Sequence, residues 1–178
     1  MARFIVLLRG INVGGHRKVP MAELRALGEG LGFTDVASYI QSGNLVLTAP
    51  GPAAAVEASL AQAIARRFGF EVDVLARTPA QWTGYMKDNP LRAAADAEPQ
   101  RVMLVLAKAP PRADAVEALR ARATTERLEA SKGALWVHYP EGAGVSKLSP
   151  ALWERCVGSP VTARNWSTVL KLAAMVEA

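Results

Sequence analysis

The sequence predicts an α+β fold of two tandem ferredoxin-like (α/β-plait, βαββαβ) lobes with extra helices, packed as one compact molecule. Three observations predict it. Phe4–Leu8 and Val102–Ala107 are runs of consecutive apolar residues, the pattern of strands buried on both faces. Each run is followed by a helical pattern, a hairpin pattern and a second helical pattern. At 178 residues the chain holds one ordinary domain or two small ones. The expected division is 1–88 for the N-terminal lobe, 89–100 for a linker or loose helix, and 101–178 for the C-terminal lobe.

The elements follow in order. After Phe4–Leu8 comes a glycine-punctuated basic loop, residues 9–18, and Pro20 suits the first position of a helix. Leu24, Leu27, Gly28 and Leu31 recur at helical spacing, and Gly30 and Gly32 mark its end. Residues 36–41 and 44–48 flank Ser42-Gly43 and read as a β-hairpin. Residues 53–67 are rich in alanine, with Val56, Leu60 and Ile64 on one helical stripe. Residues 71–76 alternate as a strand, and Thr78-Pro79 opens a helix through Lys87. Asp88-Asn89-Pro90 stops it, because the residue before proline avoids the α region.

The pattern then begins again. A helix is expected over 112–122, and a hairpin from 125–130 and 134–139 about Ser131-Lys132-Gly133. Ser149-Pro150 is an N-cap followed by a first-turn proline, with a helix running through Cys156. Residues 161–163 offer a last short strand, and Asn165 caps a final helix whose Trp166, Val169, Leu170, Ala173 and Val176 share a face.

Composition narrows the function classes. Apolar residues make up 51% and charged residues 21%, a globular balance and not a disordered one. No apolar run approaches the roughly 20 residues needed to span a bilayer. Phe4–Leu8 is too short for a secretory core, and Cys156 is the only cysteine, so no intrachain disulfide can form. A cytoplasmic protein without a membrane partner is the expectation. The net charge of +5 invites an anionic partner, although no long Lys/Arg run exists.

Loop 9–18 has the G-x-x-x-x-G spacing of a phosphate-binding loop at Gly10 and Gly15. His16-Arg17 stands where lysine and a hydroxyl are required, so nucleotide hydrolysis is rejected. The dinucleotide G-x-G-x-x-G pattern is absent too, and no cofactor is expected. What remains is glycine-exposed backbone amides beside Arg9, His16, Arg17 and Lys18, an arrangement able to hold an anion. Arg164, just before the final helix, opposes the helix dipole unless an anion or carboxylate compensates. His16 and His138 have no neighbours at metal-ligand spacing, so no metal site is expected. There is no G-x-S-x-G nucleophile elbow. The third strands of the two lobes lack the basic-glycine-aromatic signature of RNA-recognition motifs, and Trp136 and Tyr139 fall on opposite parities.

Several motifs resemble a bacterial family known as domain of unknown function 1697. They are Leu7–Gly15 with Lys18-Val19-Pro20-Met21, Tyr39–Asn44, Asn89-Pro90, Ser146-Lys147-Leu148 and Thr162–Thr168. The resemblance implies two α/β-plait lobes and implies no activity. Its motifs are mostly polar, glycine or basic residues in loops, where packing alone explains them poorly. The leading expectation is an anionic, phosphorylated ligand held in a cleft between the lobes. Arg9, Asn12, Lys18, Ser42, Asn44, Lys147, Arg164 and Asn165 would line that cleft. The alternatives are an enzyme acting on a phosphorylated or acyl substrate with Lys18 or Lys147 as electrostatic stabiliser, a non-specific nucleic-acid binder using a basic face, and a structural or dimerising module. The sequence leaves the oligomeric state open.

Overall fold

The computed structural model describes residues 1–178. The fold is mixed α+β, with two four-stranded antiparallel sheets and seven helices. By contact the chain divides into two units, Met1–Thr83 with Leu172–Ala178, and Gly84–Lys171. The division at 83/84 falls inside a helix, and the last residues return to the first unit, so these bounds differ from the contiguous spans expected from sequence.

In the first unit the strands are β1 (Ala2–Leu8), β2 (Thr34–Tyr39), β3 (Asn44–Ala49) and β4 (Val74–Arg77), with α1 (Met21–Gly30) after β1 and α2 (Ala53–Phe68) after β3. The spatial order is β2-β3-β1-β4. Successive side chains of a strand point to opposite faces. Phe4, Val6 and Leu8 therefore join Leu45, Leu47, Val56, Leu60 and Ile64 in one core cluster. Ile5 and Leu7 point the other way and are buried as well, as the unbroken apolar run requires. The α2 stripe is as expected, and Gly69 closes that helix at φ 79° with its amide on the Ala65 carbonyl. Pro20 precedes α1 in an extended conformation instead of starting it.

In the second unit the strands are β5 (Val102–Ala107), β6 (Arg127–Ser131), β7 (Ala134–His138) and β8 (Val161–Asn165), in the order β6-β7-β5-β8. Helix α5 (Ala115–Arg120) follows β5 and is shorter than the expected 112–122, whereas α6 (Pro150–Val157) follows β7. Ser149 Oγ accepts from the Leu152 amide at 3.2 Å, so the cap read from Ser149-Pro150 is in place. Met103, Val105, Leu135 and Val137 face these helices.

Three further helices complete the chain: α3 (Pro79–Lys87), α4 (Arg92–Ala97) and α7 (Trp166–Glu177). Segment 89–100 is therefore not a linker without structure. The Asn89 carboxamide accepts from the Leu91 amide at 2.8 Å, and Leu91 and Ala95 are buried one turn apart. Within the second unit Arg92 stacks over the Trp166 ring, whose neighbour at 5.7 Å is Trp136. No helix is long and apolar enough to cross a membrane.

Candidate functional site

Loop 9–20 is built as a miniature hairpin. The Asn12 amide donates to the Arg17 carbonyl at 3.1 Å and the His16 amide to the Val13 carbonyl at 3.0 Å. Between them Gly14 and Gly15 sit at φ 58° and 77°, the paired positive angles of a type I′ turn. The glycine spacing that suggests a phosphate loop thus serves a two-residue turn. Asn12, itself at φ 55°, fastens the loop base with its carboxamide, which donates to the Val19 carbonyl at 3.0 Å and the Gln41 carbonyl at 2.7 Å, and accepts from the Val19 amide at 2.8 Å.

The loop separates two pockets of the first unit. One, of about 540 Å³, has the charged side chains Arg9, Arg17, Glu71 and Asp73, with Gln62, over a floor of Ala61, Ala65 and Val72. Arg9 approaches the Asp73 carboxylate at 3.8 Å, and its amide donates to the Asp73 carbonyl at 3.0 Å. Arg17 donates to the Glu71 carbonyl and lies over the Phe70 ring at 5.3 Å. The other pocket, of about 370 Å³, is lined by Asn12, Gly15, Lys18, Val19, Pro20 and Gln41. It opens where α1 begins, and no side chain caps that start. The first amides of a helix have no partner within it, and with the dipole they favour negative charge.

Ser42 lies in the β2–β3 turn beside Gln41, and Asn44 opens β3 directly after it. Asn44 is fully buried, and its amide group donates to the Tyr39 carbonyl and to Ser42 Oγ, both at 3.0 Å. It closes the turn. Gly43 stands at φ 89°, and a Cβ there would come within 2.8 Å of the Leu8 Cβ and 2.9 Å of Ile11 Cδ1. Only glycine fits so close an approach at that angle.

The remaining expected site residues belong to the second unit. Lys147 is exposed, after a 3₁₀ turn at Ala143–Val145. Next to it Ser146 Oγ donates to Glu126 Oε1 at 2.6 Å, and this bond leads the causes that hold the Glu126 carboxyl below its usual 4.5. Arg164 is not in a loop before the helix but inside β8, opposite Leu104. It is 9% exposed, donates to Thr162 Oγ1 at 2.7 Å and to the Ala163 carbonyl at 2.9 Å, and burial pushes its pKa down to about 10. Asn165 Oδ1 accepts from the Thr168 amide at 2.9 Å, the expected cap of α7.

Five of the eight expected residues, Arg9, Asn12, Lys18, Ser42 and Asn44, therefore stand at the end of the first sheet where β1 leaves and β3 enters. Sequence reasoning missed Glu71, Asp73, Gln41 and Gln62 as pocket residues, since carboxylates and amides in such positions look like ordinary surface. No group of three or more His, Cys, Asp or Glu side chains is placed to hold a metal ion.

Residues 1–136 match the family model described as protein of unknown function, DUF1697. The chain belongs to this family. The match contains the whole first-unit site, from loop 9–20 to Asp73. No curated protein matches the chain. Among solved structures it is similar to the conserved bacterial protein SP0830 from Streptococcus pneumoniae, with 28% identity, 98% of each chain covered and a TM-score of 0.74. For this family member the motif residues now have positions: those of the first unit gather on one loop and one turn.

Proposed function

We propose that the protein binds an anionic, phosphorylated ligand at the loop between β1 and α1. One observation carries the reading: Lys18 shares a pocket with Pro20, the residue from which a ten-residue helix starts without a side-chain cap. A phosphate there would meet a lysine ammonium beside the positive end of the helix dipole. Asn12, Ser42 and Asn44 hold the walls of that pocket in shape, and Arg9 flanks the loop on its other side. In the second unit the same reading falls on exposed Lys147, while Arg164 and Asn165 are engaged in local hydrogen bonds. We also read each unit as a ferredoxin-like βαββαβ fold. The orders β2-β3-β1-β4 and β6-β7-β5-β8, with helices after the first and third strands, support that reading.

Calorimetric titration with inorganic phosphate, a nucleoside monophosphate, a sugar phosphate and an oligonucleotide tests the function. Saturable binding of a phosphorylated compound, weakened at least about tenfold by Lys18→Ala, is expected. Absence of binding, or binding indifferent to Lys18→Ala, rejects it. Oligonucleotide binding that collapses with salt and ignores Lys18 would favour a basic nucleic-acid face instead.

A further inference from the structure

We propose a second site, separate from the phosphate reading: the pocket between loop 9–17, α2 and residues 71–73 binds a small zwitterion of the amino-acid or dipeptide class. Its charged lining is balanced. Arg9 and Arg17 contribute two positive charges, and Glu71 and Asp73 two negative ones. A bare phosphate entering it would meet both carboxylates, and a bare amine both guanidiniums. Arg9 and Asp73 already pair at 3.8 Å, so Arg17 and Glu71 remain as one charge of each sign, and a ligand that carries both signs finds a counter-charge for each.

The groups that would hold it have capacity to spare. The Arg17 guanidinium makes one hydrogen bond, to the Glu71 carbonyl, and the Phe70 ring beneath it holds the guanidinium plane. A guanidinium has five N–H donors, so the ligand carboxylate can take a fork of them. Glu71 and Gln62 line the pocket and are exposed, which offers a carboxylate acceptor for the ligand ammonium and an amide for its polar backbone. Asp73 is shared with Arg9 at 3.8 Å, longer than a hydrogen bond, so its carboxylate keeps acceptor capacity toward the pocket. Between the charges lies a floor of Ala61, Ala65 and Val72, which suits short aliphatic side chains. The volume of about 540 Å³ is within the range of small-molecule sites.

Titration of the full chain with L-alanyl-L-alanine, followed by amide resonances in ¹H–¹⁵N spectra, tests this. Saturable shifts are expected at Arg9, Arg17, Gln62, Glu71 and Asp73. N-acetylation or C-terminal amidation of the dipeptide should each weaken binding about tenfold, as should Arg17→Ala and Glu71→Gln, whose spectra report whether the fold is kept. Equal binding of the N-acetylated form, displacement by inorganic phosphate, or no saturable shift by roughly 10 mM dipeptide overturns the proposal. These outcomes leave the Lys18→Ala phosphate titration untouched, and loss of phosphate binding leaves this one untouched.

Discussion

Asn12 and Val19 bond each other in both directions: the Asn12 amide group donates to the Val19 carbonyl at 3.0 Å, and the Val19 amide donates to Asn12 Oδ1 at 2.8 Å. A side chain thereby imitates a strand partner and fixes where the loop hands over to α1. Asn12→Ala removes both bonds and leaves an alanine at φ 55°, an angle asparagine tolerates better. We expect a loss of about 1–3 kcal/mol in urea denaturation, with faster hydrogen exchange at Val19. An unchanged exchange rate there would show that the pair does not hold the loop.

Gly43→Ala should be more damaging than Gly10→Ala. Both glycines have positive φ, but a Cβ at Gly10 meets nothing within 4 Å, whereas one at Gly43 runs into Leu8 and Ile11. The angle alone costs about 1–2 kcal/mol and overpacking adds about 1–3 kcal/mol. Thermal and denaturant unfolding of the two variants should separate these contributions, and equal losses would contradict the close approach.

Ser146 stabilises the charged form of Glu126, so its contribution depends on pH. A carboxyl whose folded pKa lies below its unfolded value of 4.5 adds stability that is fully present above 4.5 and is lost as the pH falls through the lower folded value. Ser146→Ala should therefore be less stable than the wild type at neutral pH, and the gap should close as the solution is acidified below 4.5. A gap independent of pH would mean that the hydroxyl acts only as a turn bond to the Leu148 amide.

Arg164 carries the opposite sign. Burial lowers its pKa to about 10, well below its unfolded value, so holding it charged opposes folding at every pH below 10, and that opposition fades as the pH climbs above 10 toward the unfolded value. Arg164→Met keeps the long stem and removes the charge. Below pH 10 the variant should unfold at an equal or higher urea concentration than the wild type, its advantage narrowing at higher pH. A large loss at neutral pH would show that the guanidinium bonds to Thr162 and Ala163 outweigh its burial.

The strands with a two-faced apolar run were legible because burial on both sides leaves an unambiguous pattern, and the two hairpins were legible from the turn residues between their strands. Caps were legible as well, since Ser149 and Asn165 act through their own side chains on amides three residues on. Strand β8 reached further than expected because its buried positions are Thr162 and Arg164 while Ala163 is exposed, the reverse of hydrophobic patterning. Helix α4 was obscured by a segment of alanine and charge whose one large apolar anchor, Leu91, stands just before it, with small Ala95 buried inside it. Of the site, loop 9–20 was visible through its glycines and cations. The acidic wall of the larger pocket was not, because Glu71 and Asp73 reach it through the fold and lie more than 50 positions from Arg9 and Arg17.

The return of Leu172–Ala178 to the first unit, where Arg3 donates to the Met175 carbonyl at 3.1 Å, bears on how the chain is made. Domains usually fold in the order they leave the ribosome. Here the second unit has emerged whole before the first can be finished, so the unit begun earliest is completed last. Its opening strand must wait through the synthesis of everything else for its last partner.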